Sequence, residues 1–158
     1  MKKYICVSLL MLIALIVING CSSKGQQQTS PNEYPPDKAV QNGDVLNNRA
    51  KVFNEEKLVN FIKNVQDGKQ DKIRVTGYTI ESDAIIQDLK YDGKQIERIE
   101  DTTRDKFGSQ DITKTTCSKI GEEIVEAGGN KYKQYYLSQC NGISASKISI
   151  LQSPEPLK

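Results

Sequence analysis

The sequence predicts an α+β fold: one amphipathic helix packed on an antiparallel sheet of five to six strands, tied by one cross-strand disulfide. Three observations predict it. Apolar residues recur at helical spacing once, between Asn54 and Gln66. From Asp71 onward the apolar period falls to two, the period of a half-buried strand. Cys117 and Cys140 stand equally far from the turn signal Gly128–Gly129, so a hairpin folded there brings them face to face.

The chain opens with Lys2 and Lys3, then an uncharged apolar run from Ile5 to Ile18. As a helix the run covers about 21 Å at 1.5 Å per residue, short of the ~30 Å hydrocarbon core a spanning helix must cross. It reads as an export signal over residues 1–20. Small Gly20 directly before Cys21, with Ile18 upstream, resembles the lipobox of bacterial lipoproteins. That resemblance implies cleavage between Gly20 and Cys21 and a diacylglycerol on the Cys21 thiol, which would anchor the protein on the outer face of the cell membrane. Losing residues 1–20 removes two cations and no acid, so the formal charge of +2 falls to zero. Cations alternate with acids in the remainder, a pattern that excludes a basic nucleic-acid footprint.

Residues 21–42 are rich in Gln, Ser, Thr, Pro and Asn, and read as the lipidated cysteine followed by a disordered tether. One domain over 43–153 and a tail over 154–158 follow. Within the domain, Leu58, Phe61, Ile62 and Val65 fall on one helical face. Asn54 suits the N-cap, Glu55 and Glu56 suit the positive end of the helix dipole, and Gly68 suits a left-handed cap. Alternation then predicts strands over 72–80, 84–91 and 94–101. Asp92–Gly93 as a two-residue turn pairs Leu89 with Ile96 and Ile86 with Ile99. Residues 102–111 read as a loop. The Gly128–Gly129 turn pairs Ile120 with Leu137, Glu126 with Lys131 and Cys117 with Cys140. Counting from that turn, the two cysteines fall at a hydrogen-bonded site, where Cα atoms lie about 5.5 Å apart. Ile148 and Ile150 mark a final strand before Pro154.

With three Phe and no Trp, the chain has little large apolar side chain for a core, so a covalent link matters. Cys6 leaves with the signal and Cys21 carries lipid. Outside the cytoplasm the remaining pair reads as a disulfide, which stabilises by about 3–4 kcal/mol in the chain-entropy model.

The absence of His excludes the usual general base, the Ser-His and Cys-His pairs and the commonest transition-metal ligand. Bonded cysteines exclude thiolate chemistry and a zinc site. No catalytic residue, metal site or cofactor is expected. Paired carboxylates are the remaining route to chemistry. Glu97, Glu100, Asp101 and Asp105 form an acidic cluster, but lack a calcium-loop spacing and are interleaved with Arg98 and Arg104, as on a solvated surface. Ser118 and Lys119 are adjacent strand positions and point to opposite faces. Tyr132, Tyr135 and Tyr136, beside Lys131 and Lys133, are the candidate binding surface, since aromatics next to cations stack on sugars or grip protein partners. Of these, Tyr132 and Tyr136 are expected on the disulfide's face.

Gly43-Asp44-Val45, Val52-Phe53-Asn54, the run Asp71 to Glu81, Tyr91-Asp92-Gly93-Lys94 and Thr115-Thr116-Cys117 together resemble an uncharacterised family of lipoproteins from bacilli, over about 43–151. The resemblance implies a Gram-positive envelope and carries no catalytic residue across. The resulting expectation is a membrane-anchored, non-enzymatic module that binds a protein or wall ligand. The alternatives are a small carboxylate-dependent hydrolase of envelope polymer and an inhibitor-like module acting on a secreted protein.

Overall fold

The computed structural model describes residues 33–49, 51–142 and 147–153. Gly20, Cys21 and the tail 154–158 lie outside them. The elements run α1 (Pro36–Gln41), β1 (Val45–Asn47), β2 (Val52–Phe53), α2 (Glu55–Gln66), β3 (Asp71–Tyr78), β4 (Ala84–Tyr91), β5 (Ile96–Asp101), β6 (Ile112–Ala127), β7 (Asn130–Cys140) and β8 (Lys147–Gln152).

The expected helix on five to six antiparallel strands is corrected. Among the described residues the fold is mostly sheet: eight strands in the order β2-β1-β3-β4-β5-β6-β7-β8, curled into a half-barrel, with two short helices. The sheet is also mixed, because β1 runs parallel to β3, with Val45 opposite Val75 and Leu46 opposite Thr76. Strands of three and two residues are too short to show alternation, which is why β1 and β2 escape a reading by periodicity. The curl brings the last strand back toward the first. Asn47 Nδ2 donates to the Gln152 carbonyl at 2.7 Å, and Gln87 Nε2 to the Ile150 carbonyl at 3.3 Å.

Helix α2 forms where the spacing places it. Leu58 and Phe61 are fully buried, and Ile62 and Val65 pack beside them against Val75, Leu89, Tyr91, Ile96, Tyr135 and Leu137. Its C-terminus closes as a Schellman motif: Lys69 N–H donates to the Asn64 carbonyl and Gly68 N–H to the Val65 carbonyl, with Gly68 at φ 70°. Its start departs from expectation. Asn54 occupies the N-cap position in a left-handed conformation, and its amide donates to the Asp44 carbonyl at 2.8 Å instead of capping. The side chain thus ties the helix to the corner before β1.

Pro36–Gln41, inside the stretch 21–42 read as a tether, is helical and covers part of the sheet's other face. Proline at the first helical position is compatible with α-helix, since its missing N–H would be unpaired there anyway. Ala39 is fully buried on this side, and so are Leu46 and Thr76, which stand opposite each other. Ile86, across from Thr76, joins them. Among the described residues, nothing beyond α1 covers Lys72, Arg74 and Lys90, which are exposed on this face.

The β6–β7 hairpin has the expected register. Ala127 pairs with Asn130, Ile120 with Leu137 and Cys117 with Cys140, around a turn in which both glycines have positive φ. Gly121 stays in register opposite Tyr136, whose ring lies over it; a Cβ at Gly121 would meet the phenol oxygen at 3.1 Å. The disulfide forms, but its Cα atoms are 4.0 Å apart, closer than at the expected hydrogen-bonded site. The cause is local. Gln139 adopts φ 55° and Asn141 N–H donates to the Thr116 carbonyl, the bonding pattern that flanks a non-hydrogen-bonded pair.

The β4–β5 turn differs in length. Asp92 accepts the N–H groups of Lys94 and Gln95 on Oδ1, each at 2.8 Å, which makes a four-residue turn. Tyr91 therefore pairs with Ile96, and Leu89 with Arg98, two residues away from the predicted register. A shift of two keeps every side chain on its predicted face. The loop between β5 and β6 is as expected, and is fastened to the β3–β4 loop through Asp83. Lys106 N–H donates to Asp83 Oδ2 at 3.0 Å and its ammonium lies 3.2 Å from Oδ1. These contacts, the backbone one foremost, hold the Asp83 pKa below its ordinary value against partial desolvation.

Candidate functional site

Strand alternation and the β3–β4–β5 register sort the central strands into two faces. Ile73, Val75, Leu89, Tyr91 and Ile96 turn toward α2 and the core. Lys72 and Arg74 on β3, Asp88 and Lys90 on β4, and Glu97 and Ile99 on β5 share the opposite face. There they line an open groove of about 740 Å³, closed at one side by the corner Asn42–Gly43–Asp44 and by Lys57.

Most charges around this groove are committed. Arg74 makes a two-pronged pair with Asp88, with both contacts at 2.7 Å, and that carboxylate raises the guanidinium pKa despite partial burial. Lys57 Nζ donates to the Gly43 carbonyl at 2.7 Å. Asp44 is only 3 % exposed, and its Oδ2 accepts from Tyr34 Oη at 2.8 Å and Thr76 Oγ1 at 2.7 Å. Next to it, Tyr78 donates its hydroxyl to the Tyr34 carbonyl at 2.8 Å. Burial, with Tyr34 and Asp44 close by, pushes the Tyr78 pKa up to about 12, so this donor keeps its proton. Glu97 stands across from Lys90 but turns to Lys114 instead.

Lys72 and Lys90 are the exception. They are directly opposed across β3 and β4, both exposed, and among the described residues neither side chain has an ion-pair or hydrogen-bond partner. Opposed like charges in this geometry repel. An acidic group seated between them would relieve the repulsion. The β3–β4 register carries the signal, which no local pattern in the sequence supplies.

The residues predicted from sequence are dispersed. Glu97 pairs with Lys114, Glu100 with Arg98, and Asp101 with Arg104 and Thr103, while Asp105 accepts the N–H groups of Phe107 and Gly108. Glu97 and Glu100 face opposite sides of the sheet, so the cluster is not one site. Among the described residues no group of His, Cys, Asp and Glu is arranged to hold a metal ion. Arg98 departs from the solvated surface expected of it. It is 6 % exposed on the core side, with Nε donating to Gln87 Oε1 at 2.8 Å.

The tyrosines also separate. Tyr135 is 1 % exposed and belongs to the core, with its hydroxyl donating to Glu55 Oε1 at 2.9 Å. Burial and that carboxylate raise its pKa. Tyr132 and Tyr136 point to the other face, and Tyr136 receives the Lys147 ammonium 4.3 Å from its ring centre. Cys117 is buried with Tyr135, so the expected shared face of Tyr132, Tyr136 and the disulfide is corrected. The irregular backbone at Gln139 breaks the alternation on which that expectation rested.

The model of one protein family, described as a domain of unknown function, DUF4362, matches residues 42–134, more than half of the chain. The chain belongs to the DUF4362 family. No curated protein and no solved structure matches it. The DUF4362 stretch starts at the corner Asn42–Gly43–Asp44 and contains the whole groove, α2 and Cys117. It ends inside β7, short of the expected limit near residue 151, so Cys140 and β8 lie beyond it. Within the DUF4362 stretch, then, the groove is complete and the disulfide is not.

Proposed function

We propose that this DUF4362 protein is a non-catalytic binding module of a Gram-positive envelope, held on the outer face of the cytoplasmic membrane by a lipid on Cys21, and that its groove takes an acidic ligand. The observation that carries the binding reading is the directly opposed pair Lys72–Lys90, without a side-chain partner among the described residues, in a groove whose other charges are engaged. The anchor reading rests on the uncharged run Ile5–Ile18 followed by Gly20–Cys21. Lipid on that cysteine would keep the groove next to polymers and proteins of the wall.

Calorimetric titration of the domain with polyphosphate and with a poly-glutamate peptide tests the groove. Saturable binding to at least one probe is expected, weakening as salt rises. Reversing both charges, Lys72→Glu with Lys90→Glu, should lower affinity at least tenfold, whereas Lys131→Glu on the distant hairpin should change it little. Equal binding by all three proteins would remove the groove from the account.

A further inference from the structure

Among the described residues, the large apolar side chains that stand furthest into solvent lie at the end of the sheet where the described chain begins. Ile80, in the β3–β4 loop, is 84 % exposed, and Phe107, in the β5–β6 loop, is 78 % exposed. The register places both loops at one end, since Tyr78 pairs with Ala84 and Asp101 pairs with both Ile86 and Ile112. The loops are built, not slack. Asp83 clamps one to the other through Lys106, and the Asp105 carboxylate takes the N–H groups of Phe107 and Gly108, fixing the tip that presents the ring.

The chain also enters at this end. The Tyr34 carbonyl accepts from Tyr78 Oη at the last residue of β3, and the Arg104 guanidinium lies 5.9 Å from the Tyr34 ring centre. Cys21 precedes Glu33 by twelve residues, a contour of at most about 43 Å. The opposite end of β4 is the turn Asp92–Gln95, polar throughout and about 25 Å away by strand rise. An anchor on Cys21 therefore pulls on the end that bears the apolar tips.

Resting on the Cys21 anchor proposed above, we infer that the two loops seat on the bilayer, with Ile80 and Phe107 entering the boundary between headgroups and acyl chains. A tethered domain needs few such contacts, because the lipid already holds it at the surface and the tips have only to orient it. Glu81 and Asp111 remain exposed beside the tips, so the surface that fits is zwitterionic and not strongly anionic. Seated this way, the domain holds the Asp92–Gln95 turn away from the membrane.

The chain contains no Trp, so Phe107→Trp introduces a single reporter, and Lys94→Trp supplies the matched one at the far turn. Each full-length protein is purified from membranes and reconstituted into phosphatidylcholine vesicles whose acyl chains carry bromine as quencher. Quenching of the Phe107→Trp emission should exceed that of Lys94→Trp severalfold, and adding Ile80→Ser should reduce it. Equal quenching of both reporters in protein that floats with the vesicles overturns the seating while leaving the anchor intact. Protein that fails to float overturns both. Protection of the Phe107→Trp reporter that depends on protein concentration and not on lipid assigns the tips to contact between copies, and also overturns the seating.

Discussion

Replacing Cys117 and Cys140 together by serine lowers the unfolding free energy by about 3–4 kcal/mol, which for a domain of this size corresponds to a fall in melting temperature of roughly 10–20 °C. Two effects act in the same direction. The bond closes a loop across a sequence separation of 23, and Cys117 is 1 % exposed within the apolar cluster, so a serine there also buries a hydroxyl. Urea unfolding of the double variant, beside the wild type with and without reductant, checks it. Reduced wild type should approach the variant. A loss below about 1 kcal/mol would mean that the hairpin holds its register without the bond.

Phe61→Ala is the second large effect, with an expected cost of about 3–5 kcal/mol. The ring is fully buried where α2 lies in the curl of the sheet, and its removal leaves a cavity that strands on several sides cannot fill without losing their pairing. Val59, two positions earlier and 49 % exposed, is the control, and Val59→Ala should change stability by no more than about 0.5 kcal/mol. Similar losses for the two variants would show that the helix does not present the face described.

Helix α2 and the β6–β7 hairpin were legible because independent local signals agreed there. The stripe Leu58, Phe61, Ile62 and Val65 sits before a left-handed Gly68, and the turn Gly128–Gly129 gives the same register as the cysteine positions. The rest depends on contacts that a local pattern does not carry. Strand β1 is three residues long and its partner lies thirty residues away in β3. Helix α1 begins at a proline and hides in a polar stretch that composition reads as a tether. The Asp92 carboxylate lengthens a turn that Asp92–Gly93 alone would make shorter, and the slip of two residues leaves the faces unchanged.

The candidate site was illegible for the same reason. Lys72 and Lys90 are eighteen positions apart, each inside an ordinary alternating run, and only the β3–β4 pairing brings them together. Arg98 shows the converse. In sequence it lies among acids and reads as solvated, yet the curl of the sheet encloses it beside Gln87 and Glu100. Tyr135 departs similarly: a tyrosine among lysines on a strand suggests a surface, and the α2 terminus covers it with Glu55 as partner. In each case the side chain's role is set by which strands the curl brings together.

The central claim is that the groove-bearing domain works outside the cytoplasmic membrane, held by a lipid at position 21. Intact mass measurement of protein extracted from native membranes, alkylated without prior reduction, tests it directly. The account predicts a chain beginning at a diacylglycerol-modified Cys21, residues 1–20 gone, and no alkyl group on Cys117 or Cys140. A chain that retains its first twenty residues and takes up alkylating reagent at both later cysteines would contradict it.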